Sequence, residues 1–217
     1  PDQSAAAPHR GWTRHHTQRA APPQWTSYHS HLTKDIYSRL AVGRLVAPRE
    51  PDPLATPHID ATCDAHDIDR DQLHLHSDNG PSMTSKKVAQ LLADLGVTRS
   101  LSRPHVSNDN PFSESQFKTL KHSPRFPERF TSLAHARTFT DAFFDHYHHH
   151  HHHSGIGYHT PADVHASRHH QIRAGRQQIL DNAYATNPHR FRRRPTAPKI
   201  PDITWINQPE QELSHTP

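Results

Sequence analysis

Leu73-His74-Leu75-His76-Ser77-Asp78-Asn79-Gly80 and, further on, Asn108-Asp109-Asn110-Pro111-Phe112-Ser113-Glu114-Ser115-Gln116-Phe117-Lys118-Thr119-Leu120-Lys121 decide how this chain is read. In the first stretch apolar Leu73 and Leu75 alternate with polar residues before an Asp and an Asn-Gly turn, the pattern of a strand that runs into a loop. A carboxylate therefore sits where a sheet ends. The second stretch follows a Pro-containing loop and reads as a helix, with Phe112, Phe117 and Leu120 on one side and Glu114, Lys118 and Lys121 at i, i+4 and i+7 on another. Thirty-five residues, Asn79 to Ser113, separate the two acids.

Two carboxylates so placed, one ending a strand and one on a helix, can share divalent cations, and oxygen ligands suit magnesium or manganese. Paired metals of that kind activate an attacking oxygen and stabilise a leaving one in phosphodiester chemistry. Lys118 and Lys121 would then hold phosphates. Each piece alone has a plainer reading, since an isolated Ser-Asp-Asn-Gly is usually just a turn and a Glu/Lys helix face is usually solvated. Their agreement in spacing and context favours the metal site.

Leu75-His76-Ser77-Asp78-Asn79-Gly80, the run from Ser102-Arg103-Pro104 to Glu114, and His153-Ser154-Gly155-Ile156-Gly157 with Thr160-Pro161-Ala162 resemble the integrase-type core of bacterial insertion-sequence transposases. The resemblance extends from about Asp35 to about Trp205. It implies an α/β fold, a ribonuclease-H-like mixed sheet flanked by helices, with a helical C-terminal extension. It also implies an Asp, Asp, Glu triad in which Asp78 is the second acid and Glu114 the third. The implied activity is two-metal strand cleavage and strand transfer on DNA with Mg2+ or Mn2+, by a homo-oligomer that engages transposon ends and target. An upstream helix-turn-helix region would complete such an enzyme.

One departure matters most. Aligning Trp12-Thr13 and Trp25 with the family's first strand puts His15 at the position of the first catalytic Asp, and no Asp occurs between Asp2 and Asp35. His16 takes that place only if the match shifts by one residue. A neutral imidazole offers one nitrogen and no charge where a carboxylate offers negative oxygen, so magnesium binding should weaken sharply. Two further readings follow: a non-catalytic DNA-binding remnant of such a transposase, and a histidine-rich metal-binding protein.

Composition sets the outer limits. Only 31% of the 217 residues are hydrophobic, which predicts a modest core. The formal charge is +4 before any of the 25 histidines is protonated, a balance that suits a nucleic-acid partner. Membrane insertion is not expected, because no apolar run approaches the roughly 20 residues that span a bilayer. A single Cys63 and the lack of a signal-peptide pattern predict a cytoplasmic protein, and the DNA role that the resemblance implies makes it nucleoid-associated. The chain begins without Met, and the expectation is a fragment or a beginning that lies upstream.

The expected organisation is a disordered lead-in over residues 1–10, the catalytic core over 11–158, and a C-terminal helix with a basic tail over 159–217. Tyr28 to Asp35 has little apolar character for a strand buried on both faces, whereas Ile36 to Ala47 reads as β, with Asp35 a turn residue between the two. Leu54 to His66 is a predicted helix that Pro57 should kink or shorten. Lys86 to Leu95 is another, closed by Gly96, and Val97 to Leu101 is a short strand. Ser102 to Asn110 is a loop expected to be mobile until DNA arrives, and in and beside it Arg103 and Arg99 are candidate phosphate contacts.

Ser132 should open a helix with an apolar stripe of Leu133, Ala136, Phe139, Phe143 and Phe144. That helix runs toward six consecutive histidines, His148 to His153, which invite zinc or nickel. Thr160-Pro161 has the form of an N-cap with Pro at the first helical position, beginning a helix to about Ala185. Arg190-Phe191-Arg192-Arg193-Arg194-Pro195, with Lys199, is a basic run that would attract a DNA backbone without reading sequence. Ile203 to Asn207 is strand-like, and the residues beyond it are expected to be disordered.

Overall fold

The computed structural model describes residues 3–21, 26–48, 52–103, 111–124 and 126–208. After a short β1 (Gln3–Ala5), three strands run back and forth: β2 (Gly11–Ala21), β3 (Thr26–Asp35) and β4 (Ala41–Ala47). Helix α1 (Asp52–Ala65) then carries the chain to β5 (His74–Ser77), which pairs with β2 in parallel. A short α2 (Pro81–Thr84) and α3 (Lys86–Asp94) lead to β6 (Thr98–Leu101), parallel to β5. The sheet order is β4-β3-β2-β5-β6, so β2 is the central strand.

The remaining chain is mostly helical: α4 (Pro111–Lys121), α5 (Leu133–His149), α6 (Pro161–His165) and α7 (His169–Thr186), then β7 (Thr204–Ile206). Two apolar clusters cover opposite faces of the sheet. Trp12, Leu73 and Leu75 face Ala55, Ile59 and Cys63 of α1 and Val88 and Leu92 of α3. On the other face Leu32 meets Phe117 and Leu120 of α4 and Phe144 and Tyr147 of α5. Strand alternation therefore sorts β2 and β3 into an α1 side and an α4 side.

Several sequence expectations hold. Gly96 closes α3 at φ 67°, Ser132 caps α5 by accepting from the His135 N–H, and Thr160 caps α6 by accepting from the Asp163 N–H, with Pro161 at the first position. Asp35 is a turn residue: its Oδ1 accepts from the Ser38 N–H at 2.7 Å and the Ser38 hydroxyl at 2.9 Å.

Others change. Tyr28 to Asp35 forms a full strand despite its polarity, and His29, Ser30, His31, Thr33, Lys34 and Asp35 are all buried. Polar partners replace the missing apolar ones: Arg14 donates to His31, His16 bonds His29, and Lys34 donates to Gln116. Strand β4 starts only at Ala41, because the Asp35 turn occupies Ile36 to Leu40, with Arg39 at φ 67°. Helix α1 runs through Pro57 without ending there.

The predicted helix from Thr160 to Ala185 is two helices, because Ser167 takes a left-handed φ of 57° and the Arg168 N–H turns back to the Asp163 carbonyl. Residues 1–10 are not all a disordered lead-in, since Gln3–Ala5 pair with Thr204–Ile206. The last residues, 209–217, and most of the Ser102 to Asn110 loop, 104–110, lie outside the described residues. Among the described residues no helix is long and apolar enough to cross a membrane.

Candidate active site

Strands β2 and β5 lie side by side, with Trp12 opposite Leu75, Thr13 opposite His76 and Arg14 opposite Ser77. Continuing that register by one residue brings His15 opposite Asp78, and the two side chains are hydrogen-bonded, His15 Nδ1 to Asp78 Oδ2. A carboxylate oxygen only accepts, so a proton lies on Nδ1. The Asp78 side chain is 43% exposed and that of His15 23%, so both are open to an ion or ligand arriving from solvent.

Helix α4 packs on β2 and β3 at this point. Its Phe117 ring lies 5.3 Å from the His15 ring. Glu114 is in α4, one turn before Phe117, which puts the third expected acid on the element that covers His15. The Glu114 side chain lies outside what is described. His16, the alternative to His15, faces the other way: it stacks on His29 at 5.0 Å and on His31 at 4.7 Å. Strand parity thus puts His15 on the α4 side beside Asp78 and His16 on the other face.

Beneath the pair is a buried cation that sequence reasoning passed over. Arg14 is 3% exposed and donates to His31 Nδ1 at 3.0 Å. Burial pushes its guanidinium down to about 10, against the opposing pull of Asp78. The same burial, with Arg14 adding to it, takes His31 to about 3, so that ring is neutral. Lys34, 1% exposed on the α4 side, was likewise missed. Alternation was the available signal for both, because Arg14 lies between Thr13 and His15 and Lys34 lies two residues after Leu32.

The expected phosphate contacts are spread more widely. Lys118 and Lys121 are exposed in the last turn of α4, and Arg103 is exposed just past β6. Arg99 donates to the Met83 carbonyl at 2.9 Å. Arg192 and Arg193 are exposed, but Arg194 is tied to Asp181 of α7, its Nε and one terminal nitrogen both 3.0 Å from Oδ1. The basic run is therefore not free of acids in three dimensions.

The histidine run is largely built into the fold. Helix α5 continues to His149; the His148 Nε2 accepts from the Ala41 N–H at 3.1 Å, and the His153 Nδ1 accepts from the Gly155 N–H at 3.0 Å. His152 Nδ1 meets the Tyr158 carbonyl at 3.0 Å. Three of the six rings thus serve the backbone.

Residues 5–107 match one family model described as an integrase core domain, and residues 95–161 match a second with the same description. The chain is 28% identical over 160 residues to the transposase for insertion sequence element IS904 of Lactococcus lactis subsp. lactis (strain IL1403), covering 73% of this chain and 62% of that one. It therefore spans less than two thirds of that relative.

Among solved structures, the simian T-cell lymphotropic virus intasome in complex with PP2A regulatory subunit B56 gamma aligns with a TM-score of 0.56 at 15% identity, covering 74% of this chain and 55% of that one. The HTLV-2 integrase catalytic core domain in complex with magnesium (trimeric form) gives 0.52 at 14%, covering 73% and 97%. The Mos1 strand transfer complex gives 0.51 at 16%, covering 63% and 47%. These likenesses speak for the fold, which is ribonuclease-H-like: a mixed sheet flanked by helices.

Proposed function

Because the chain belongs to the integrase-core family of transposases, we propose that it is the DNA-handling core of an insertion-sequence transposase whose metal-dependent strand cleavage and strand transfer are impaired by His15. The observation that carries this reading is the direct hydrogen bond between His15 and Asp78. In a two-metal site the first and second acids would supply negative oxygens to the cations. Here an imidazole supplies the first position and occupies one Asp78 oxygen itself.

The described donors do not fit a pair of magnesium ions. One carboxylate and one imidazole carry half the negative charge of two carboxylates, and the buried Arg14 guanidinium acts on Asp78 from behind. Manganese tolerates a nitrogen ligand better than magnesium does, so any residual activity should favour it. Glu114 is the third acid in this proposal, and Lys118, Lys121 and Arg103 hold phosphates near it. Arg192 and Arg193 add sequence-independent attraction to the DNA backbone, and the protein works on DNA as an oligomer of this chain. A role as a histidine-rich metal carrier is disfavoured by the backbone bonds of His148, His152 and His153.

The test pairs DNA binding with nicking of a supercoiled plasmid in Mn2+ or Mg2+. We expect the unmodified chain to bind duplex DNA with an affinity that falls as salt rises, and to nick no faster than its Asp78→Ala variant. His15→Asp should raise nicking at least tenfold, and Glu114→Gln added to it should remove the gain. Nicking by the unmodified chain that Asp78→Ala abolishes would reject the impairment. Absence of any binding to DNA would reject the whole reading, and a folded His15→Asp variant without gain would acquit His15.

A further inference from the structure

Before the start of β2, away from Asp78 beside the middle of that strand, three imidazoles from separate parts of the chain converge. His9 comes from the segment before β2, His66 follows α1, and His165 ends α6; each offers a ring nitrogen, and these three atoms lie within 4.8 Å of one another. His9 sits in the turn before Gly11, and the four steps along β2 from Gly11 to His15 span roughly 13 Å, so this cluster is separate from the site above. The Trp12 ring forms one wall, 6.0 Å from the His9 ring and 5.8 Å from that of His66.

The hydrogen bonds around the cluster fix where each lone pair lies. His66 Nε2 is 3.0 Å from the Val42 carbonyl oxygen, which can only accept, so the proton is on Nε2 and the lone pair on Nδ1. The Ser38 hydroxyl gives its single proton to Asp35 Oδ1, so its contact with His165 Nδ1 at 3.0 Å must be an Nδ1–H donated to Ser38. That leaves the His165 lone pair on Nε2. His9 Nδ1 is buried and has no hydrogen-bond partner.

His9 itself is held in an unusual pose. Its backbone sits at φ 63°, uncommon for a residue with a side chain, and its N–H donates to Asp35 Oδ2 at 2.7 Å. One carboxylate, Asp35, thus orients two of the three rings, His9 through the backbone and His165 through Ser38. Metal-binding histidines are characteristically supported in this way, with the second ring nitrogen donating to a carbonyl or to a carboxylate-linked group.

We propose that His9, His66 and His165 form a binding site for a divalent transition ion of borderline softness, with zinc as the best-matched ion and water completing the tetrahedron. Imidazole is a preferred ligand for this class. Tetrahedral zinc at about 2.0–2.1 Å from each nitrogen needs nitrogens about 3.3 Å apart, so the cluster closes by at most about 1.5 Å. Burial lowers His9 and brings His165 to about 4, which keeps both in the neutral, ligating form. The ion would clamp the segment before β2, the end of α1 and the end of α6 to one point, a structural role that does not depend on the DNA chemistry at Asp78.

The test uses the chain with His149, His150, His151 and His152 replaced by Ala, which breaks up the histidine run as a competitor for metal. This protein should take up one equivalent of zinc against a chromophoric chelator, with X-ray absorption showing three imidazole nitrogens, and should bind Co2+ with a tetrahedral visible spectrum. Adding His66→Ala should weaken zinc at least tenfold. Uptake that survives His66→Ala but is lost with Asp78→Ala would overturn the proposal, and so would a zinc shell with fewer than three imidazoles. If His66→Ala does not fold, the absorption spectrum of the parent protein decides alone.

Discussion

The Lys34 Nζ lies 2.9 Å from the Gln116 Oε1, in the sealed space between β3 and α4. Its nitrogen is also 3.4 Å from the Phe112 carbonyl and 3.5 Å from the Tyr147 hydroxyl. Burial holds it well below the ordinary lysine range, with Arg39 pushing in the same direction. The helix that carries Glu114 is therefore anchored to the sheet by a polar pin. We expect Lys34→Ala to cost roughly 2–3 kcal/mol, by opening a cavity and leaving the Gln116 amide oxygen unpaired. Urea unfolding measures this, and an unchanged midpoint would remove the pin from the account.

Buried histidines make the fold acid-sensitive. Burial, with Arg14 adding to it, takes His31 to about 3 and His58 to about 4. Burial chiefly also takes His148 and His159 to about 4. In the unfolded chain each titrates near 6.5, so between 6.5 and about 4 the unfolded state binds protons that the folded state refuses. Stability is therefore full above pH 6.5 and falls as the pH drops toward 4, by at most ~1.4 kcal/mol per pH unit for each ring. Urea midpoints that stay flat from pH 7.5 to pH 5 would contradict this.

Replacing His15 by Asp should create a cation requirement visible without any DNA. Two carboxylates facing each other across β2 and β5 repel, by about 1 kcal/mol for a directly opposed pair, so His15→Asp should melt earlier in chelator than the unmodified chain. Manganese should recover the loss in the variant and do much less for the parent. Equal manganese responses would argue against a shared site at these two positions.

The C-terminal arginines should differ in their effect on DNA. Arg192 and Arg193 are exposed, whereas Arg194 is engaged by Asp181. Every phosphate that a protein ceases to neutralise reduces the slope of log affinity against log salt by about 0.9 on duplex DNA. We expect Arg192→Ala with Arg193→Ala to flatten that slope by up to about 2, and Arg194→Ala to change it least. Fluorescence anisotropy over a salt series distinguishes the two, and the reverse ranking would mean that Asp181 does not withhold Arg194.

Gly157 is the residue of the His-Ser-Gly-Ile-Gly motif with the least tolerance. It sits at φ 63°, and a Cβ there would come within 2.8 Å of the Lys199 carbonyl oxygen. Gly157→Ala should cost at least ~1 kcal/mol from backbone conformation alone, and the close approach to Lys199 adds to it. Gly175→Ala, with open space around it, is the comparison and should be neutral or stabilising. Equal melting temperatures for the two would reject the argument.

What could be read in the sequence was whatever repeats locally. Leu73 and Leu75 alternate, Val88, Leu91 and Leu92 recur at helical spacing, and Thr160-Pro161 is a cap, so β5, α3 and the start of α6 were legible. Tyr28 to Asp35 misled because its partners, Arg14, His16 and Gln116, are polar side chains supplied by β2 and α4, which no window over β3 contains. The break at Ser167 was hidden for a similar reason, since the bonds that hold it, between Arg168 and Asp163, reach back to the first turn of α6. At the candidate site, Asp78 and the helix of Glu114 were legible from motif and spacing. His15 could be placed only by aligning Trp12, and strand parity then separates it from His16.

The antiparallel pairing of β1 with β7 sets Gln3 opposite Ile206 and Ala5 opposite Thr204. Chain leading away from residue 3 and chain leading away from residue 206 therefore leave from the same end of the β1–β7 pair. Tension between those two exits would open the pairs one at a time, starting at Gln3 and Ile206, rather than shearing them together. That opening would also have to release the Gln3 amide from the His74 carbonyl, and the strand peeled back is the one leading toward His9.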